Sequence, residues 1–192
     1  MTQQPPELTP LAQGIAKLAN ILEELKIRYG MIGGIAGALH GIPRATADAD
    51  VLFAIEKIRL SGFLDHLENK SFSFDKQKVL KELSSDGLSS ISYQNRRIDL
   101  LMPILPFFYM ALERARTTTF FDHPIRIISP EDLILFKLIA FRPQDQEDIQ
   151  AILAIKGKDQ LQLNYLREWA SKLVGTSDNK LVQLEDWINK LT

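Results

Sequence analysis

Residues 29–55 restrict the fold more than any other stretch. Residues 29–32 (Tyr-Gly-Met-Ile) read as a short strand that runs into Gly33-Gly34, and residues 35–40 as the first turns of a helix stopped by Gly41-Ile42-Pro43. Residues 48–55 then alternate with period two: Asp48 and Asp50 fall on one side, Ala49, Val51 and Phe53 on the other. A strand, a glycine turn, a short helix and a half-acidic strand, in that order, make the region mixed α/β.

The flanking patterns agree. Leu11, Ile15, Leu18, Leu22 and Leu25 recur at helical spacing, which predicts an amphipathic helix over about residues 10–26 behind a loose Gln/Pro-rich tail at residues 1–10. Helices are expected over residues 56–69 and 76–83, and a hairpin from residues 88–93 and 97–102 around Gln94-Asn95-Arg96. An aromatic-rich helix over residues 106–115 and a strand over residues 124–128 follow. Ser129-Pro130-Glu131-Asp132 is a helix start, with a capping serine, proline at the first position and acids in the first turn. From there the pattern is helical, with breaks at Arg142-Pro143, Gly157 and Gly175. The expected class is α+β: a mixed sheet flanked by helices over residues 11–128, with a helical subdomain, residues 129–192, packed on it.

Composition narrows the chemistry. With no cysteine there are no disulfides, thiolate metal sites or cysteine nucleophiles, and His40, His66 and His123 lack ligand-like spacing. Any metal must therefore be held by oxygen. A net charge of −1 argues against coating nucleic acid through a global positive field. The first ten residues carry neither a basic nor an apolar leader region, and the longest uncharged apolar run, residues 100–112, is interrupted by Pro103 and Pro106. That run is shorter than the roughly 20 residues a membrane span needs. The expectation is a cytoplasmic protein with no membrane association.

The chemistry concentrates in Gly33-Gly34, Arg44, Thr46, Asp48, Asp50 and Asp99. A strand entering a Gly-Gly turn at a helix start exposes backbone N–H groups that suit phosphate oxygens. Asp48 and Asp50 lie about 7 Å apart along one strand face. Mg²⁺ binds through one or two such carboxylates together with substrate phosphates. Asp99 sits in an otherwise apolar strand, where an ionised carboxylate is costly unless paired or metal-bound. Taken singly, a Gly-Gly is usually a tight turn and an Asp-x-Asp a solvated face. Their order and spacing together are far less common.

In that order, Gly33-Gly34, Arg44-x-Thr46-x-Asp48-x-Asp50 and a distant Asp99 resemble the nucleotidyltransferase superfamily of the DNA-polymerase-β type, and within it the small bacterial AbiEii toxin-like group. The segment with Lys137, Arg142, Asp145 and Asp148 is similar to a later part of that group, so the resemblance covers roughly residues 30–155. It implies a nucleotidyltransferase-type fold and transfer of a nucleoside monophosphate from an NTP, ATP included, to a hydroxyl acceptor. Asp48, Asp50 and Asp99 are the expected catalytic and metal-holding residues, with Mg²⁺ or Mn²⁺ as cofactor. Gly33, Gly34, Arg44, Thr46, Lys137, Arg142 and Asp145 are the expected nucleotide contacts. RNA, a protein side chain or a small molecule is the expected acceptor, and a cognate antitoxin or other partner protein the expected associate. The alternative is a catalytically silent nucleotide-binding or interaction module on the same fold.

Lys137 stands out on its own, since Leu133, Ile134, Ala140 and Phe141 surround it at helical spacing. Its ammonium must reach water, a distant carboxylate or an anion. Asp145 is also readable as the start of the next helix. Arg96-Arg97, Arg114 and Arg116 read as surface arginines open to an acceptor, Trp169 and Trp187 as core or interface positions, and His123 as structural. P-loop, nucleophile-elbow and His-Glu-x-x-His motifs do not occur.

Overall fold

The computed structural model describes residues 8–43 and 45–191. Most of the expected tail, and Arg44, lie outside the described residues. The chain forms two compact units, one from the described residues of Met1–Ile32 and Thr46–Ile127, the other from those of Gly33–Ala45 and Ile128–Thr192.

The first unit is built on a mixed sheet of β1 (Arg28–Ile32), β2 (Ala49–Ala54), β3 (Leu88–Tyr93), β4 (Arg96–Leu101), β5 (Arg116–Phe120) and β6 (His123–Ile127), in the order β3-β4-β2-β1-β6-β5. Its helices are α1 (Pro10–Glu24), α3 (Lys57–Asn69), α4 (Lys76–Ser85) and α5 (Pro106–Arg114). Local chemistry starts the helices. Ala12 N–H donates to the Thr9 hydroxyl at the head of α1, and Lys78 N–H to the Asp75 carboxylate at the head of α4. The hairpin β3–β4 turns through Gln94 (φ +46°) and Asn95 (φ +61°), a two-residue turn whose twist suits the strands and which starts β4 at Arg96, one residue earlier than expected.

Phe121 (φ +46°) and Asp122 (φ +62°) make the same kind of turn between β6 and β5, a strand the sequence reading did not anticipate. At Gly87 (φ +70°), between α4 and β3, an added β-carbon would come within 2.7 Å of the Ile104 side chain, and the backbone itself favours glycine there.

β2 lies inside the sheet, antiparallel to β1 and parallel to β4. α1 packs against β1, β3, β4 and β6, and α5 against β1 and β2. Ala49, Val51, Leu52 and Phe53 are fully buried, so β2 is covered on both sides beyond Asp50. Asp50 is half-buried and Asp48, just before the strand, is exposed.

The second unit holds α2 (Gly33–Leu39), α6 (Pro130–Ala140), α7 (Pro143–Lys156), α8 (Leu163–Val174) and α9 (Asn179–Asn189). The expected start of α6 is present: Pro130 opens it and Asp132 N–H donates to the Ser129 hydroxyl at 3.1 Å. α6 is packed by α2, α7 and α8, which explains why Leu133, Ile134, Leu135 and Leu138 are fully buried and no amphipathic stripe is visible in it. Trp187 of α9 lies near Phe141 at the end of α6, with ring centroids 6.2 Å apart, whereas Trp169 lies near Tyr165 one turn away within α8. Among the described residues no helix is long and apolar enough to cross a membrane.

Candidate active site

β2 and β4 bring the acids of the sheet unit together. In the loop before β2 the Thr46 hydroxyl donates to the Asp48 carbonyl at 2.8 Å, which fixes the approach to the strand. Asp48 is exposed and lies one residue before β2, and Asp50 is half-buried within it. In the parallel ladder Asp50 stands directly beside Asp99, so the two carboxylates leave the same sheet face from strands about 4.8 Å apart. The register row continues to Ile32 on β1 and Ser90 on β3. The intervening residues Ala49, Val51, Ile98 and Leu100 are fully buried and point to the other side.

Two carboxylates at this spacing repel each other, and the repulsion is stronger where solvent is partly excluded. Arg97, two residues before Asp99 on the same face, relieves it. Its Nε donates to Asp99 Oδ1 at 2.7 Å. That bond and the charge of Asp99 hold the guanidinium pKa above its ordinary value against desolvation, with smaller contributions from the charges of Asp48 and Asp50. By sequence alone Arg97 reads as one of the surface arginines. The i, i+2 spacing from Asp99 on a strand was the signal that put the two on one face. Among the described residues no group of three His, Cys, Asp or Glu side chains is placed to hold a metal ion.

The helical unit carries a second charged cluster. Lys137 Nζ donates to Asp148 Oδ2 at 2.5 Å and lies 3.8 Å from Asp145 Oδ1, and all three side chains are buried. Asp145 also accepts from the backbone N–H of Arg142 at 3.1 Å and from its Nε at 2.7 Å, which caps the start of α7. Of the routes open to Lys137, the structure takes the distant carboxylate. Asp145 is the helix start that the Arg142-Pro143 break suggested. Gly33, with φ +59°, makes the turn from β1 into α2, a backbone that favours glycine. Thr46 belongs with the sheet carboxylates, and Arg44 lies outside the described residues.

Residues 7–189 match the family described as nucleotidyltransferase of unknown function, DUF6036. The chain belongs to that family. No curated protein matches the chain. Among solved structures, ANT(2")-Ia in complex with adenylyl-2"-tobramycin is similar at 14% identity and a TM-score of 0.58, covering 86% of this chain and 97% of that one. The lincomycin-bound lincosamide antibiotic adenylyltransferase LnuA is similar at 17% identity and a TM-score of 0.52, covering 74% of this chain and 96% of that one. The solution structure of ANT(2")-Ia is similar at 14% identity and a TM-score of 0.55, covering 82% and 89%. Family and fold agree: a nucleotidyltransferase-type α+β architecture with a six-stranded mixed sheet. The match is to this family and does not by itself confirm the AbiEii toxin-like group.

Proposed function

We propose that the chain transfers a nucleoside monophosphate from an NTP to a hydroxyl acceptor and releases pyrophosphate. One observation carries the reading: Asp50 and Asp99 stand side by side in register on adjacent parallel strands, off one sheet face. Their donors are carboxylate oxygens, the type that Mg²⁺ or Mn²⁺ takes alongside water and substrate phosphates. When bound, such a cation offsets the charge that develops on the transferred phosphoryl group. Asp48, Asp50 and Asp99 are the residues that would hold that cation against the nucleotide phosphates. Asp99 accepts the proton of the acceptor hydroxyl as its oxygen bonds to the α-phosphorus. The bond from that phosphorus to the α–β bridging oxygen breaks, and its electron pair leaves with pyrophosphate.

Gly33, Gly34 and Arg44 we propose as contacts for phosphate oxygens, and Thr46 shapes the loop ahead of Asp48. Lys137, Arg142 and Asp145 we read as the frame of the helical unit, because their charges are already matched within it.

The acceptor is RNA, a protein side chain or a small molecule. Two structures of similar fold hold, by name, lincomycin or adenylyl-2"-tobramycin, which supports a small hydroxyl acceptor. A toxin-like role with a cognate antitoxin rests on the AbiEii resemblance alone. The Arg97–Asp99 pair favours a second reading, a silent nucleotide-binding module whose third carboxylate stays neutralised.

Each α-labelled NTP, with Mg²⁺ and the full chain, separates these readings when offered total RNA, lysate protein, aminoglycosides and lincosamides in parallel. Label on one acceptor class with matching pyrophosphate is the expected result. NTP binding without label in any arm overturns transfer in favour of the silent module.

A further inference from the structure

The acidic end of the sheet carries a cation in its own sequence. Arg97 leaves β4 on the face of Asp99, takes Oδ1 of that carboxylate at 2.7 Å and lies in the field of Asp48 and Asp50. The pair is asymmetric: the Asp99 side chain is 22% exposed, the Arg97 side chain 61%. A guanidinium that exposed is held by its charge partner rather than by packing, so it can exchange partners without disturbing the core. A divalent cation drawn to Asp50 and Asp99 meets the oxygen that Arg97 already engages, and two cations at one carboxylate repel each other.

We propose that Arg97 is a built-in competitor for the divalent cation at Asp99. It holds Oδ1 of Asp99 while the site is without nucleotide and gives that oxygen up when a nucleotide-borne cation arrives. A free cation meets the full competition. A cation carried by a triphosphate does not, since the phosphates offer the released guanidinium negative charge in exchange. Arg97 thereby biases the site toward the metal–nucleotide complex over the bare metal. This rests on the reading of Asp50 and Asp99 as metal-holding residues given above. Arg97 is a positioning residue, acting through Asp99. If it instead oriented Asp99 for the metal, its loss would weaken metal binding, the opposite sign.

The test is Mn²⁺ binding to the full chain without nucleotide, followed by the paramagnetic resonance of free Mn²⁺. Arg97→Gln is expected to bind Mn²⁺ about tenfold tighter than wild type, the scale of one charge-assisted hydrogen bond. Arg97→Lys, which keeps the charge, returns binding toward wild type, and Arg96→Gln leaves it unchanged. In chelator the thermal midpoint of Arg97→Gln falls by about 2 °C, and Mn²⁺ restores it. Equal or weaker Mn²⁺ binding by Arg97→Gln, with binding still lost in Asp50→Asn, overturns the competition alone. Mn²⁺ binding that ignores Asp50→Asn in both backgrounds overturns the metal-holding reading, and the competition with it.

Discussion

In the sheet unit, Asp99 meets Arg97 on a half-open face, with 22% and 61% of the two side chains exposed. In the helical unit, Asp148 and Asp145 meet Lys137 where each side chain is 8% exposed. The residue types are nearly the same and the surroundings opposite. A buried pair depends on its partners, because removing one strands the other charge in a medium that does not solvate it. A half-open pair contributes little to stability and can change partners. On the function proposed above, the half-open sheet carboxylates do the chemistry and the buried cluster holds the helices together.

The largest expected effect separates the two at once. Asp99→Asn removes several kcal/mol of transition-state stabilisation, about 10³-fold in turnover, while its thermal midpoint stays near wild type. A turnover within a few-fold of wild type would place the chemistry elsewhere.

Lys137→Met does the converse, lowering stability by about 3–5 kcal/mol in chemical denaturation because two buried carboxylates lose their ammonium. Adding Asp148→Leu recovers part of that loss, since one of the two buried carboxylates is then gone. A double variant no more stable than the single one would mean that the cluster does more than balance charge.

A pH titration sharpens the contrast within the helical unit. Burial pushes the His40 pKa below 6.5, partly opposed by its Nε2 bond to the Ile128 carbonyl at 2.9 Å. The unfolded chain then binds the proton more readily than the folded one. The stability His40 contributes is complete above pH 6.5 and is lost as pH falls from there through the lowered folded value. Denaturation midpoints should fall between pH 7.5 and pH 5.5 in wild type and fall less in His40→Gln. An unchanged slope in the variant would assign the pH dependence to other groups.

The smallest effect is expected at Arg167–Glu185, an ion pair in the helical unit with side chains 40% and 33% exposed. Arg167→Ala should cost at most about 1 kcal/mol, and a cost near that of Lys137→Met would remove the distinction drawn from burial.

Much of this contrast was legible in local pattern. The alternation of Asp48 and Asp50 with Ala49, Val51 and Phe53 marks a one-sided strand, and Ser129-Pro130 marks the start of α6. β5 escaped notice because Thr117, Thr118 and Thr119 lack an apolar alternation, although β-branched threonines favour strands. The register that sets Asp50 beside Asp99 was out of reach, because strand pairing across nearly fifty positions is a tertiary choice. Lys137 announced that it needed a partner, and the partner, eleven residues on, appeared once α6 and α7 packed. Arg97 was visible as a residue; its role needed the strand face.

The central claim is that the carboxylates of the sheet unit carry out nucleotidyl transfer. Asp50→Asn tests it most directly, with product labelling from an α-labelled NTP and the thermal midpoint measured on the same preparation. Loss of label at an unchanged midpoint is the predicted result. Label at the wild-type rate from Asp50→Asn would contradict the claim.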